Sequence, residues 1–180
     1  MTLPTTFKTA RLCLKPPAIE DAPAIADLNN DEELARNASR IPHPYTLENA
    51  QDYIEAMTRL FETGTEYTFI AFLEGTLIAD VSVRKTDNIW SLGYGVHRSH
   101  RGKGYATEAA HGLCTLGFAH LALSEIHAGH YDDNPASGQV LRKLGFAPTG
   151  EKTLIFSKGR GEEVASTEYI LHAKNFKREL

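Results

Sequence analysis

The segment Arg101-Gly-Lys-Gly-Tyr-Ala-Thr-Glu108 contains the residue types that bind an anion. It follows a predicted strand and opens an amphipathic helix pattern. The first amides of a helix have no partner within the helix and lie at the positive end of its dipole. Gly102 and Gly104 leave room for a phosphate to approach those amides, while Arg101 and Lys103 add positive charge. The structural alternative is a tight glycine turn with two solvated cations.

Two common phosphate motifs do not match this segment. A Walker loop has Ser or Thr after its Gly-Lys pair, whereas Gly follows Lys103 here. A dinucleotide fingerprint needs a third glycine and lies at the first strand–helix turn, and this segment meets neither condition. The spacing that does match is Arg/Gln-x-x-Gly-x-Gly/Ala, which is formed by Arg101, Gly104 and Ala106.

This spacing and its surroundings resemble the GNAT (Gcn5-related) N-acetyltransferases, and within them the ribosomal-protein alanine N-acetyltransferases (RimJ/RimL). Other matching segments follow in the same order between about residues 11 and 172: Thr9-Ala-Arg-Leu-Cys-Leu-Lys15, Pro44-Tyr45, Leu92-Gly-Tyr94, Thr107-Glu-Ala109, Asp133-Asn-Pro-Ala-Ser137 and Lys143-Leu-Gly-Phe146. The resemblance implies an α/β fold with a central mixed sheet of about six to seven strands and helices on both faces. It also implies that the two central parallel strands splay apart and that acetyl-CoA is the co-substrate.

The resemblance further implies which residues contact the cofactor. Strand backbone would bind the pantetheine arm, the glycine segment would bind the pyrophosphate, and the start of a later helix would face the thioester. The residues are Tyr94, Gly95, Val96, Arg101, Gly102, Lys103, Gly104, Tyr105, Ala106, Thr107, Asn134 and Ser137. Glycines at 93 and 95 agree with this, since a strand glycine often marks the close approach of a ligand.

Acetyl transfer to an amine needs a neutral nitrogen, a donor to the oxyanion and a proton for the departing thiolate. The backbone N–H of Val96 is a candidate oxyanion donor. Many GNAT enzymes use a Tyr four residues before the Gly of the last Gly-Phe pair as the acid, but Leu141 stands there. Ser137 matches a Ser of the RimJ/RimL subfamily and is predicted to be the catalytic acid. Its structural alternative is a helix serine bonded to nearby backbone.

The sequence leaves the identity of the general base open. An α-amine titrates near 7.7–8.0, so a fair fraction is already neutral at pH 7, and a water relay is one route for removing the proton from the rest. Asp80 is unusual, because GNAT members usually have Gly within the segment Ile78-Ala-Asp80, and it either lines the acceptor cleft or faces solvent. Each of the other candidates also has a structural interpretation: Glu66, His130, Tyr131 and Glu151.

Other reactive side chains are predicted to be structural, and no metal is expected. Cys114 lies in the middle of a predicted helix and is interpreted as a packing residue. His127 and His130 are three apart on a predicted strand, so they face opposite sides. His97 and His100 lack a nearby Asp or Cys that would complete a tetrahedral zinc site.

Composition excludes several classes of protein. The 180 residues carry a formal net charge of −4, which argues against broad nucleic-acid binding. Neither an export signal nor an apolar stretch of 18 residues occurs, so no membrane association is predicted. Two distant cysteines without a Cys-x-x-Cys motif indicate a reducing, cytoplasmic setting. Without a linker or repeat, residues 1–180 are predicted to form one domain, as a monomer or homodimer.

Hydrophobic periodicity places the elements that must position these residues. Strands are predicted at 11–15, 68–73, 76–84, 89–96, 125–130, 149–156 and 164–172. Helices are predicted at 19–28, from residue 31, from the N-cap Thr46 to about 62, at 105–121 and at 135–144.

Two functions remain open at the level of sequence. The first is an acetyl-CoA-dependent N-acetyltransferase whose acceptor is a protein N-terminal amine or a small amine. The alternative is an acyl-CoA-binding module without turnover, acting as a sensor or partner subunit. The absent Tyr at Leu141 favours the module, whereas Asn134 with Ser137 favours the enzyme. Acidic residues at 66, 80 and 151 predict a cationic or neutral acceptor.

Overall fold

A computed structural model describes residues 3–178, so residues 1, 2, 179 and 180 of the predicted domain lie outside the described part. Eight strands form one mixed sheet in the spatial order β1-β2-β3-β4-β5-β6-β8-β7. The strands are β1 (Phe7–Lys8), β2 (Cys13–Lys15), β3 (Glu66–Leu73), β4 (Thr76–Thr86), β5 (Ile89–Val96), β6 (Glu125–Tyr131), β7 (Ala147–Ser157) and β8 (Glu162–His172). The helices are α1 (Ala22–Asn29), α2 (Glu32–Arg36), α3 (Leu47–Thr63), α4 (Tyr105–His120) and α5 (Pro135–Lys143). The additional strand, β1, is a two-residue edge that pairs with β2 and is too short to show alternation.

Strands β3, β4 and β5 form a meander through two tight turns. Both residues of each turn have positive φ. The values are 50° for Glu74, 85° for Gly75, 49° for Asp87 and 67° for Asn88. Two-residue turns with positive φ match the twist of antiparallel strands. The first turn is the one predicted from the sequence. The second was not predicted, and the strand expected to end at residue 84 extends to Thr86.

The helix ends follow the local sequence. Thr46 accepts a hydrogen bond from the N–H of Asn49, and α3 ends at Gly64 in the left-handed conformation, as expected. The predicted start of α1 at residue 19 is wrong by three residues. Ile19 is 59% exposed and belongs to a short 3₁₀ turn. The α-helix begins at Ala22 because Pro23 lies in its first turn, where its fixed φ and missing N–H are tolerated.

Helices cover both faces of the sheet, as predicted. On one face, α4 buries Leu113 and Cys114 against the central strands. On the other face, α1 and α3 bury Ile25 and Ile54 against Ile70 of β3. No helix in residues 3–178 is both long enough and apolar enough to cross a membrane.

The predicted splay lies between β5 and β6, which are parallel. They pair only where Ser91 is opposite His127. By contrast, β4 and β5 pair from Thr86 opposite Ile89 to Ala79 opposite Val96. The two parallel strands therefore diverge after Ser91 and leave a gap in the sheet at the carboxyl end of β5.

Candidate active site

A cavity of about 650 Å³ occupies this gap and extends to the face covered by α1 and α3. It has two parts of different composition. The loop half is lined by Tyr94, Gly95, Val96, Arg101, Gly102, Gly104, Tyr105, Ala106, Thr107, Asn134 and Ser137. The polar half is lined by Asn29, Leu34, Asn37, Ala38, Ser39, Arg40, Ile41, Tyr45, Tyr53, Asp80, Ser82, Tyr131 and Ile155. All the predicted cofactor residues except Lys103 therefore line one part of one cavity.

The glycines of the loop half are required by the backbone. Gly102 and Gly104 have φ of 75° and 84°, and no atom lies within 4 Å of a Cβ placed at Gly102. Gly104 is the N-cap of α4 and has no side chain to satisfy the first amides of that helix. Since Tyr105, Ala106 and Thr107 line the cavity, this first turn offers its unpaired N–H groups and positive dipole end to a ligand.

The two predicted cations of this segment, Arg101 and Lys103, form hydrogen bonds with other groups of the protein. The Arg101 guanidinium donates to Asp31 Oδ1 at 2.7 Å and to Glu33 Oε2 at 2.8 Å, which fastens α2 and its N-cap to the loop. Lys103 Nζ donates to the Ser99 carbonyl at 3.0 Å and lies outside the cavity lining. Backbone amides, rather than these side chains, are what the loop half presents to an anion.

The buried carboxylate of Glu108 stabilises the loop from outside the cavity lining. Glu108 accepts hydrogen bonds from the Thr9 hydroxyl at 2.6 Å, the Arg11 N–H at 2.7 Å and the Arg11 Nε at 2.6 Å. Arg11 also donates to the Lys103 carbonyl and lies over the Tyr105 ring. Burial alone would raise the pKa of Glu108, but these hydrogen bonds outweigh it and lower that pKa. Glu108 therefore has a structural role, and the sequence did not indicate its pairing with Arg11.

The backbone of Val96 faces the gap. The N–H of His97 donates to the Ile78 carbonyl at 2.8 Å. In an antiparallel pair, successive residues direct their N–H and C=O groups alternately toward and away from the partner strand. The Val96 groups are therefore directed away from β4, in agreement with the hydrogen bond that its carbonyl accepts from Arg101 Nε. An N–H in this orientation can stabilise an oxyanion in the gap.

Ser137 is hydrogen-bonded across the gap to Tyr94. The Tyr94 hydroxyl lies 2.8 Å from Ser137 Oγ and 3.0 Å from the Ser137 carbonyl oxygen. Burial raises the pKa of Tyr94 to about 12, so the phenol keeps its proton at neutral pH. Asn134 caps α5 by accepting the Ser137 N–H at 3.3 Å. The serine hydroxyl thus contacts a proton-carrying side chain from another element, not the backbone of its own helix.

Asp80 lies in the polar half, on the other face of the sheet from Tyr94. It is paired with Gly95 in the β4–β5 register, and a Cβ at Gly95 would lie 2.5 Å from Asp80 Oδ1. That oxygen is buried and has no hydrogen-bond partner among residues 3–178. Burial raises the pKa of Asp80 to about 6, although the charge of Arg40 opposes the shift. Of its two predicted locations, Asp80 occupies the cleft.

The other charged residue of the polar half is neutralised. Arg40 donates to both carboxylate oxygens of Glu66, at 2.6 and 3.0 Å, and Glu66 is only 1% exposed. Burial alone would lower the pKa of Arg40, but Glu66 raises it. Tyr53, which is also in this half, has its pKa raised well above 10 by burial and stays protonated.

Tyr131 lines the polar half, but burial raises the pKa of its phenol, so it keeps its proton, and the remaining base candidates are positioned less favourably. Glu66 lies beneath Arg40 and outside the cavity lining. Glu151 is on the exposed strand β7, also outside the lining. His130 lines the cavity, but its Nδ1 bonds the Tyr131 carbonyl at 2.8 Å and its ring packs against Gly138. No three His, Cys, Asp or Glu side chains in the described part of the chain group closely enough to hold a metal ion.

Comparison with known proteins gives one consistent result. A family model described as the acetyltransferase (GNAT) domain matches residues 11–147. The N-acetyltransferase p20 of Bacillus licheniformis is 29% identical over 150 residues, which are 81% of this chain and 84% of that protein.

Two solved structures have the same fold. A ribosomal-protein alanine acetyltransferase from Vibrio fischeri superposes with a TM-score of 0.81 at 21% identity and covers 97% of this chain and 100% of its own. A microcin self-immunity acetyltransferase, MccE, in complex with acetyl-CoA and AMP, superposes with a TM-score of 0.83 at 18% identity. That match covers 94% of this chain and 97% of MccE.

Proposed function

Because the chain belongs to the acetyltransferase (GNAT) domain family, we propose that it transfers the acetyl group of acetyl-CoA directly to a primary amine in a ternary complex. One observation carries the proposal: the uncapped first turn of α4, with glycines at 102 and 104, borders the gap between β5 and β6. The pyrophosphate binds the amides of this turn. The pantetheine arm lies in the gap along Tyr94, Gly95 and Val96, and the thioester faces Asn134 and Ser137.

The chemistry needs no covalent intermediate, since the amine is itself a nucleophile once it is neutral. Its nitrogen attacks the thioester carbonyl, the C–N bond forms, and the Val96 N–H stabilises the oxyanion. The C–S bond then breaks, the Ser137 hydroxyl gives its proton to the sulfur, and the proton that the nitrogen loses restores the hydroxyl. The protonated phenol of Tyr94, 2.8 Å from Ser137 Oγ, supports this donation.

The acceptor is proposed as a class, the primary amine. Two proteins that share the fold act in different settings, one named for a ribosomal-protein alanine and one for self-immunity to a microcin. Both a protein N-terminal amine and a small amine therefore belong in the test. One domain over residues 1–180, a cytoplasmic setting and a monomer or homodimer remain predictions.

A coupled assay tests the proposal. The protein is mixed with acetyl-CoA and a panel of peptides and small amines, free CoA is followed with a thiol reagent, and the product is identified by mass spectrometry. We expect CoA release in equal amount to an acetylated amine. Tight acetyl-CoA binding without amine-dependent CoA release would contradict turnover and favour the binding module, for which Leu141 at the position of the family's Tyr is the supporting observation.

A further inference from the structure

Three buried side-chain oxygens in residues 3–178 have no hydrogen-bond partner, and all three line the polar half. They are Asn29 Oδ1, Asp80 Oδ1 and the Tyr131 hydroxyl. Buried polar groups in proteins are nearly always paired, and each exception calls for an explanation such as a ligand or a catalytic role. Their location in one half of one cavity indicates that this half binds a polar molecule, and two of the three are acceptors only.

The charges of the polar half favour a cation. Arg40 is held by both oxygens of Glu66, so its charge is compensated. Asp80 has no basic partner within ion-pair distance among the described residues. An ammonium group would supply both the positive charge and an N–H donor for the unpaired Asp80 Oδ1.

The position of Asp80 relates it to the reacting atoms. Asp80 of β4 is opposite Gly95 of β5. The next residue of β5 is Val96, whose N–H faces the gap. Side chains alternate across a strand, so Tyr94 and its partner Ser137 lie on one face of the sheet and Asp80 lies on the other. A thioester in the gap is then approached from one face by the carboxylate and from the other by the hydroxyl.

We propose that Asp80 binds the acceptor's ammonium group and takes one proton from it before the attack. The inference rests on the proposed acetyl transfer and assigns its general base. One N–H bond of the ammonium breaks and an O–H bond forms on Asp80. The neutral nitrogen then forms the C–N bond, the C–S bond breaks, and a second amine proton replaces the one that Ser137 gives to the thiolate. Asp80 releases its proton to solvent after the products leave.

The surroundings of Asp80 are consistent with this task at neutral pH. Arg40, from the segment before α3, lies near it and is paired with Glu66 of β3, while Tyr45 and Tyr53 present neutral hydroxyls. From α2, the nearest side chain is the apolar Leu34, which contacts the same glycine. With its pKa at about 6, Asp80 is ionised at pH 7 and basic enough to accept a proton.

Asp80→Asn tests the proposal, with Asp52→Asn on the exposed surface of α3 as the matched control. We expect Asp80→Asn to lower kcat/KM by about 10²- to 10⁴-fold. The rise of kcat/KM with pH near 6 should disappear, and the affinity for acetyl-CoA should be unchanged. Asp52→Asn should stay within about twofold of the unsubstituted protein. A weakly basic amine that is already neutral at pH 7 needs no proton removed. With such an amine, the fall in kcat/KM caused by Asp80→Asn should be smaller by at least about tenfold.

Binding gives a readout that does not depend on turnover. Calorimetric titration of the CoA-loaded protein with a small aliphatic amine, and separately with an alanine-leading peptide, identifies which source of the ammonium group is accepted. Asp80→Asn should weaken binding of the accepted amine at least about tenfold. Equal binding by both proteins, or an unchanged pH profile, would overturn the role of Asp80 while acetyl transfer stands. Absence of transfer by the unsubstituted protein overturns the proposed function instead.

A second variant separates loss of the carboxylate from loss of the fold. Gly95→Ala keeps Asp80 but places a Cβ 2.5 Å from its Oδ1, so the carboxylate must move. A fall in kcat/KM together with weaker amine binding in folded Gly95→Ala supports the proposal. Amine binding as tight as in the unsubstituted protein would contradict it.

Discussion

The loop half and the polar half of the cavity meet at Gly95 but are built by different means. The loop half comes mostly from the continuous run 94–107 and presents backbone amides at the start of α4. The polar half combines side chains from α1, α3, β4 and the segment between α2 and α3. Backbone geometry depends on which residues are glycine, so a local pattern reveals it, whereas a side-chain cluster from distant segments leaves no such pattern.

The two halves also differ in how charge is compensated. Around the loop half, Arg101 is paired with Asp31 and Glu33, and Arg11 is paired with Glu108. In the polar half, Asp80 has no ion-pair partner among the described residues, and its Oδ1 accepts no hydrogen bond. A site whose charged groups are already paired is rigid and suits a cofactor that never varies. A site with one charge that has no ion-pair partner selects ligands of the opposite charge.

The largest expected effect tests the backbone nature of the loop half. Gly104→Val places a β-branched residue at φ 84°, where L side chains are strained, and narrows the approach to the α4 amides. We expect acetyl-CoA affinity to fall by more than about 100-fold by calorimetry, with the fold intact by circular dichroism. Gly75→Val, at φ 85° in the β3–β4 turn, is the matched control and should retain binding. Unchanged affinity in Gly104→Val would remove the contrast between the halves.

The next effect concerns stability in the polar half. Folded Asp80 keeps its proton up to about pH 6, whereas the unfolded carboxyl releases it near 3.8. Between these values the folded state binds more protons, so ionisation of Asp80 lowers the free energy of unfolding as pH rises. Asp80→Asn should therefore gain stability relative to the unsubstituted protein between pH 4 and pH 7, by about 1–3 kcal/mol. Parallel denaturant titrations measure the gain, and a difference that is constant with pH contradicts the uncompensated charge.

A smaller effect separates chemistry from binding within the loop half. Ser137→Ala removes the hydroxyl that we propose as the proton donor to the thiolate, so kcat should fall by about 10- to 100-fold, at or below the lower end for a general acid. Acetyl-CoA affinity should stay within about twofold, because the hydroxyl matters mainly when the C–S bond breaks. Ser99→Ala, outside the lining, serves as the control. An unchanged kcat would reduce Ser137 to a packing contact of Tyr94.

The smallest effect tests charge selection at the polar half. Matched peptides that differ only in a flanking Lys or Glu should show a several-fold preference in kcat/KM for Lys. Coulomb attraction to a carboxylate is worth about 1 kcal/mol at 4 Å in water and more in a cleft. The preference should shrink at 1 M salt, where the Debye length is about 3 Å. Equal rates at low salt would leave acceptor choice to shape alone.

Periodicity and the turn residues predicted most of the fold. Seven of the strands and all five helices occur near their expected positions. The splay between two central parallel strands was implied by the family resemblance and occurs between β5 and β6. Errors arose where a local signal was weak, as at Asp87-Asn88, or where proline moved a boundary, as at Pro23. The contacts of Arg11 with Glu108 span 97 residues, and no single-sequence pattern predicts such a pair. The location of Asp80 likewise depends on β4–β5 pairing, which periodicity does not specify.

The close approach of Asp80 to Gly95 has an evolutionary consequence. Any side chain at position 95 would occupy the space of the carboxylate, and a smaller residue at position 80 would remove that restriction. Among relatives that diverge from this chain, the two positions should therefore change together, with Gly95 retained wherever an acidic residue is retained at 80. The pair would then act as a heritable marker of acceptor preference that can be followed through gene duplication and divergence.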